Sequence, residues 1–117
     1  KVPSHCVVTE FKNKRGLMDA ATTACRQLGY TRMWSIHPDQ IRPIVDAFTP
    51  SVAEVDQAVE IILAAQAAAW APTRHHDTLH DRASYRYFWQ IVERAHRTSY
   101  ADGPQLPAAV RAAFFEP

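Results

Sequence analysis

The sequence has no excess of charge of either sign and no apolar run long enough to cross a membrane. Thirteen Lys and Arg residues against twelve Asp and Glu residues leave a net charge of +1. Electrostatics therefore give no case for nucleic acid or a membrane surface as a partner. The longest strongly apolar stretch, residues 61–70, is interrupted by Gln66 and falls short of the about 20 residues that a spanning helix needs. We expect no nucleic acid and no membrane among the partners.

Cysteine is equally scarce, with only Cys6 and Cys25 in 117 residues. They form neither a C-x-x-C pair nor a zinc-ligand spacing. Such usage favours reduced thiols and a cytoplasmic location, with one disulfide between the two as the alternative. The N-terminus shows no signal-peptide pattern and no initiator Met, and it leads almost directly into the apolar pair Val7 and Val8. We expect the chain to start in the middle of a longer protein.

Hydrophobic patterning predicts a β-α-β unit in the first part of the chain. The apolar, β-branched run over residues 5–11 predicts a buried strand, and residues 31–36 predict a second one. Between them, apolar residues at helical spacing from Leu17 to Leu28 predict a helix that ends at Gly29. Two parallel strands do not make a stable sheet alone. We expect further strands from a missing part of the chain, with partner chains as the alternative source.

The rest of the sequence predicts helices separated by one polar linker. Pro38 is a first-turn proline of a short helix that Pro50 stops. Ser51 and Glu54 form a capping box that opens a long helix over residues 51–72. Residues 73–81 are polar and His-rich, which favours an irregular segment, and helical patterns resume over residues 82–97 and 108–114. The apolar side of the short helix before Pro50 is expected to comprise Ile41, Ile44, Val45 and Phe48. That of the long helix is expected to comprise Val52, Val55, Val59, Ile62, Leu63 and Trp70.

A known pattern runs through the segment from Leu28 to Phe48. Gly29-Tyr30 is followed by a short strand candidate, by Ile36-His37-Pro38-Asp39-Gln40 and then by Phe48-Thr49-Pro50. This order resembles the C-terminal third of the citrate lyase β-subunit-like proteins, relatives of the malyl-CoA and citramalyl-CoA lyases and of the HpcH/HpaI aldolases. The resemblance covers about residues 5–97. Thr31-Arg32-Met33-Trp34 replaces the family's common Asp-Gly-Lys, which suggests a divergent branch.

The resemblance implies an α/β fold, the C-terminal portion of a (β/α)8 TIM barrel that usually takes about 250 residues. Residues 1–50 would form the last two βα units, with strand seven at residues 7–11 and strand eight at residues 32–36. Residues 51–72 would form a long C-terminal helix. Residues 73–117 would form a tail with a helix that contacts a neighbouring subunit.

The resemblance also implies an activity, a carbon–carbon lyase that depends on Mg2+ and acts on CoA thioesters of the malyl, citramalyl or citryl type. In the family, a Glu and an Asp on earlier strands hold the Mg2+ and an early Arg assists, so we expect no metal ligand in this chain. Coenzyme A would enter as part of the substrate, and the protein would be a homo-oligomer, a trimer or a multiple. We expect this chain alone to be inactive. The alternatives are a non-catalytic assembly or interaction domain derived from the family, and an unrelated small βαβ-plus-helix domain.

Five positions are candidates for the site. By resemblance, Asp81 completes the active site of a neighbouring subunit as the acid that protonates an enolate, whereas the alternative is a helix N-cap. His37 and Pro38 would border the substrate or CoA entrance at the end of strand eight, unless His37 merely fixes the strand-to-helix turn. Arg32 or Arg42 would contact CoA phosphates, since Arg suits bidentate phosphate binding, or would be solvated.

Two further clusters have competing interpretations. His76 and His80 are four residues apart and would share a helical face as metal ligands, but the stretch has no helical pattern and no evident third ligand, which favours an exposed linker. The aromatic and Arg run over residues 85–89 resembles an RNA-stacking surface. Its helical spacing favours a buried stripe and a subunit interface instead.

Overall fold

The structure is a computed structural model, and it describes residues 13–99 and 103–116. The chain divides into two compact units, one ending at Thr49 and the other beginning at Pro50, and each is described by itself. The described part is mostly helical, and each of its helices is too short or too polar to qualify as a membrane span. In chain order the elements are α1 (Lys14–Thr22), a π-helical turn (Thr23–Gln27), a 3-10 turn (Pro38–Gln40), α2 (Ile41–Phe48), α3 (Val52–Ala67), β1 (Thr73–His75), β2 (Thr78–His80), α4 (Arg82–Thr98) and α5 (Ala108–Phe114).

The first helix is delimited by local hydrogen bonds at both ends. At its start, the Asn13 side chain accepts a hydrogen bond from the Gly16 amide over 3.0 Å. At its end, α1 runs into the π-helical turn, and Gly29 then takes the left-handed conformation with φ 72°. This reversal lets the Tyr30 amide donate to the Ala24 carbonyl over 3.0 Å. The C′ position predicted for Gly29 is thus confirmed.

The first unit has a small core between two helical segments. Leu17, Ala21 and Ala24 pack there against residues of α2, namely Ile44, Ala47 and Phe48. The predicted apolar stripe of α2 is correct at Ile44 and Phe48 and wrong at Ile41, which is 53% exposed. Ile41 is the first residue of α2, directly after the 3-10 turn.

Both strands expected in the first unit lack support in the described residues. Residues 5–11, which include the proposed strand seven, lie outside the part that the structure describes. The strand predicted over residues 31–36, which includes strand eight, is not formed in this chain, where residues 29–35 have no regular structure. No strand within residues 13–99 and 103–116 pairs with this segment, and Trp34 and Ile36 are 58% and 57% exposed. An apolar segment without a neighbouring strand has no ladder to join.

The second unit opens with the predicted capping box. The Ser51 hydroxyl accepts from the Glu54 amide over 3.2 Å, and the Glu54 carboxylate accepts from the Ser51 amide over 2.7 Å. The helix ends at Ala67 rather than reaching residue 72, because Ala69 and Trp70 take positive φ angles of 52° and 65°. The expected apolar side is wrong at three exposed positions, which are Val52, Leu63 and Trp70.

The predicted irregular segment over residues 73–81 is instead a β-hairpin. β1 and β2 are antiparallel, with Thr73 opposite His80 and His75 opposite Thr78. The two turn residues, His76 and Asp77, both have positive φ, 47° and 61°. This is the type I′ geometry whose twist matches that of the flanking strands. The hairpin therefore gives the His-rich stretch a fixed shape.

A single core unites the helices of the second unit. α4 and α5 follow the predicted boundaries closely, and the strands pack on the helices, β1 on α3 and β2 on α4. Partly buried Trp89 stacks on Phe115 with ring centroids 5.5 Å apart. The buried residues of this core are Val55, Ala58, Val59, Ile61, Ile62, Ala65, Tyr85, Phe88, Ile91, Val92, Ala95, Leu106 and Val110.

Candidate functional site

His37 shapes the turn that precedes α2. Its Nδ1 atom accepts a hydrogen bond from the Asp39 amide over 3.1 Å, which caps the 3-10 turn. The Ser35 hydroxyl donates to the His37 carbonyl oxygen over 2.6 Å. Pro38 follows at the first helical position, where its missing N–H costs no hydrogen bond. This geometry is what the structural alternative for His37 predicts, and a contact with substrate remains a prediction.

Gln40 is the residue of this motif that sequence reasoning overlooked. It is fully buried, and its Oε1 atom accepts a hydrogen bond from the Ile36 amide over 2.9 Å. The bond joins the two ends of the Ile-His-Pro-x-Gln segment and so holds the loop around His37. The sequence does contain a signal for this role, because the side-chain amide of Gln40 follows Ile36 by four residues, in a turn that begins at Pro38.

The two arginines proposed for phosphate binding differ in their surroundings. Arg32 is exposed in the irregular segment that leads to His37. Arg42 lies on the surface of α2 and donates from its Nε atom to the Asp46 carboxylate over 2.9 Å. The structure thus places Arg32, His37 and Pro38 along one continuous stretch and engages Arg42 with its own helix.

Asp81 is the N-cap of α4. Its Oδ1 atom accepts from the Ala83 amide over 3.0 Å and from the Ser84 amide over 3.4 Å. The residue is exposed, and it follows directly after β2. The N-cap alternative is therefore observed, and it does not conflict with a second role, because both cap bonds use the same carboxylate oxygen.

The His-rich stretch brings together a set of residues that differs from the predicted pair. His75 Nε2 lies 3.0 Å from Glu60 Oε2 of α3. Donor atoms of Glu60, His75 and His76 all lie within 4.8 Å of one another. His80 belongs to the same hairpin but is buried, with its ring 5.4 Å from that of Phe88. The third donor, Glu60, lies on α3 and not on the hairpin, so the spacing of the histidines in the sequence could not indicate it.

The aromatic run over residues 85–89 does not form an open stacking surface. Tyr85 and Phe88 are buried, as the helical spacing predicted, and Trp89 is covered by Phe115. Tyr87 is the exposed member. RNA binding by successive base stacking requires accessible ring faces, so these residues argue against it.

Comparison with known proteins relates the chain to a solved structure. No protein-family model matches the chain, and no curated protein matches it either. Among solved structures, the chain is similar to a citrate lyase from Burkholderia xenovorans LB400, with 51% sequence identity and a TM-score of 0.65. The similarity covers 97% of this chain and 34% of that chain. In sequence and in structure, the chain is therefore similar over nearly its whole length to about one third of a citrate lyase.

Proposed function

We propose that this chain is the C-terminal part of a citrate lyase β-like enzyme, a Mg2+-dependent carbon–carbon lyase acting on a CoA thioester. The observation that carries the proposal is 51% identity to a citrate lyase over 97% of the chain. Because the chain spans 34% of that relative, the remaining catalytic groups would lie elsewhere in the enzyme. Residues outside this chain would hold the Mg2+, which would supply Lewis-acid stabilisation of an enolate oxygen.

In this proposal the first unit completes a (β/α)8 barrel. Trp34 and Ile36 expose large apolar side chains on an irregular segment, a state expected of a barrel strand considered without its neighbours. Pairing with strands from the rest of the enzyme would order this segment as strand eight. His37 and Pro38 would then lie at the carboxyl end of that strand, where barrel enzymes carry their active sites.

Asp81 would act as the acid in the active site of a neighbouring subunit. In the cleavage direction, a base outside this chain would take the proton of the 3-hydroxyl group, and the β-carbon would become the carbonyl carbon of a 2-oxo acid. The bond between the α- and β-carbons would break, and its electron pair would stay on the shorter acyl-CoA as an enolate. The enolate α-carbon then takes a proton from the carboxyl group of Asp81, which becomes a carboxylate. The N-cap bonds use Oδ1, so Oδ2 would be the oxygen that carries the proton.

Arg32, His37 and Pro38 would contribute to CoA binding at the entrance. Arg32 is exposed on the segment that leads to the barrel rim, and its guanidinium suits a phosphate. In the full-length enzyme, Arg32→Ala should raise KM for the thioester with little change in kcat. An unchanged KM would remove Arg32 from the binding site.

The experiment that tests the proposed reaction uses the full-length enzyme and a panel of malyl-, citramalyl- and citryl-CoA, with and without Mg2+. Asp81→Asn keeps an N-cap side chain and removes the acid, so it should reduce kcat by about 10²-fold or more while the melting temperature stays near that of the wild type. Asp81→Ala should lower both kcat and the melting temperature. Turnover by the Asn variant at the wild-type rate would remove Asp81 from the mechanism, and no cleavage of any thioester by the wild type would overturn the lyase proposal.

The alternative is a non-catalytic assembly domain derived from the same family. The observation behind it is a pair of large side chains, Leu79 and Tyr87, which are 70% and 58% exposed on the hairpin and on α4 and would suit a contact between subunits. Both residues belong to the segment proposed to meet a neighbouring subunit in a homo-oligomer. A stable oligomer that lacks Mg2+-dependent turnover would favour this alternative.

A further inference from the structure

We propose that Glu60, His75 and His76 form a binding site for a divalent transition-metal ion of the zinc class. The site would be separate from the proposed Mg2+ centre, which no residue of this chain is expected to build. It does not depend on the proposed lyase activity, because its evidence is the geometry of the second unit alone.

The fold brings the three donors together from two elements. Glu60 is an exposed residue of α3, and His75 is the last residue of β1, which packs on that helix. The His75 ring is well covered, with a side chain 17% exposed, and its Nε2 atom already lies 3.0 Å from Glu60 Oε2. One imidazole is therefore held beside one carboxylate before any ion binds.

The turn conformation adds the second imidazole. Side chains of neighbouring residues in an extended strand point to opposite faces, which would separate His75 from His76. His76 instead takes a positive φ of 47° as the first turn residue. The two rings consequently lie edge to face with centroids 4.2 Å apart, and their nitrogens reach the same small volume as the Glu60 carboxylate.

The donor set and its dimensions suit zinc better than magnesium. Two imidazole nitrogens and one carboxylate oxygen are typical ligands of Zn2+ and of neighbouring first-row ions, whereas Mg2+ prefers oxygen. Tetrahedral bonds of this kind place the donors roughly 3.3 Å apart. The donor atoms lie within 4.8 Å of one another, and rotation of the exposed Glu60 and His76 side chains would bring them to the bonding separation. A water molecule would complete four ligands.

A buried histidine lies beside the cluster. His80 is 6% exposed, and its Nδ1 atom is buried without a hydrogen-bond partner among the described residues. Its ring centroid lies 6.2 Å from that of His75. Buried polar atoms are normally satisfied, so this face holds an imidazole nitrogen that protein groups of the described part leave unsatisfied.

Metal binding would replace the His75–Glu60 hydrogen bond with two bonds to one ion. The His75 ring would then carry its proton on Nδ1, because the coordinating nitrogen must be unprotonated, and affinity would fall as the pH is lowered and the imidazoles take up protons. The ion would also tie the hairpin to α3. Since Asp81 follows β2 directly, the hairpin so fixed is the one that leads to the proposed acid.

The test is a zinc titration of the full-length protein, prepared without a histidine tag, stripped by a chelator and kept in excess Mg2+. Competition with a zinc-sensitive dye should show one site whose affinity falls at least about tenfold in His76→Ala and in Glu60→Gln. His96→Ala and Glu93→Gln, which remove a histidine and a glutamate of α4, should bind like the wild type. Zinc should raise the melting temperature of the wild type and of these two controls only.

Two results would overturn the site. One is a wild-type protein that binds no zinc under these conditions. The other is wild-type affinity in both His76→Ala and Glu60→Gln, which would assign any bound zinc to other residues. His76 and Glu60 are exposed, so neither substitution should prevent folding, and none of these readouts involves thioester turnover.

Discussion

The hydroxyl group of Tyr85 donates a hydrogen bond to the carbonyl oxygen of Ala71 over 2.7 Å. The Tyr85 hydroxyl oxygen also lies 2.8 Å from the hydroxyl oxygen of Thr73. Tyr85 is a buried residue in the first turns of α4, whereas Ala71 lies between α3 and the hairpin and Thr73 is the first residue of β1. One side chain thus fixes the exit of one helix and the start of β1.

Removing that hydroxyl should loosen the junction. Tyr85→Phe keeps the buried ring and loses both hydrogen bonds, so we expect the free energy of unfolding to fall by about 1 kcal/mol. Tyr87→Phe is the matched control, because Tyr87 is exposed on the same helix and should change stability little. Chemical denaturation of the full-length protein measures the difference, and equal stabilities would contradict the structural role of this hydroxyl.

Phe48 should contribute strongly to the core of the first unit. It is buried against α1, so Phe48→Ala should lower the free energy of unfolding by about 3–5 kcal/mol through lost apolar burial and a cavity. Ile41 was predicted on the same stripe but is exposed, and Ile41→Ala should cost far less. Thermal unfolding of both variants separates the two positions, and similar losses would show that the stripe extends to Ile41 after all.

The capping box at the start of α3 should be measurable. Ser51→Ala removes the oxygen that accepts a hydrogen bond from the Glu54 backbone N–H, and it should reduce the free energy of unfolding by about 1 kcal/mol. Ser51→Asp retains an oxygen at that position and should remain close to the wild type. A wild-type melting temperature for the Ala variant would indicate that water satisfies the freed amide equally well.

The turn after α3 should be improved by glycine. Ala69 has a φ of 52°, a conformation that costs a residue with a Cβ roughly 1–2 kcal/mol. Ala69→Gly should therefore stabilise the protein, although the added chain entropy of glycine reduces the gain to less than about 1 kcal/mol. The control Ala67→Gly lies at the end of the helix itself and should be destabilising. A loss of stability in Ala69→Gly would argue against the left-handed turn.

The sequence predicted best those features that short-range chemistry determines. Ser51 and Glu54 predicted the start of α3, and Gly29 predicted the end of the helical segment that begins with α1. The boundaries of α4 and α5 followed from a repeating apolar stripe. In each case the deciding interactions are local, and the most widely spaced of them joins Tyr30 to Ala24, within about two turns of helix.

Features decided by distant contacts escaped prediction. The hairpin contains only six strand residues around His76 and Asp77, and its support comes from Glu60 and Tyr85 on two helices. The sequence of residues 73–81 alone does not indicate those partners. The strand expected over residues 31–36 is also decided by distant contacts. Its residues are apolar enough for a buried strand, but none of the described residues forms a strand that pairs with it.

The compact hairpin between α3 and α4 also bears on how this part of the chain folds. Only a short stretch separates the two helices, so their packing partners meet without closing a long loop, and the associated loss of chain entropy is modest. Topologies dominated by such nearby contacts form rapidly. The region from Pro50 onward should therefore fold early, as one cooperative unit.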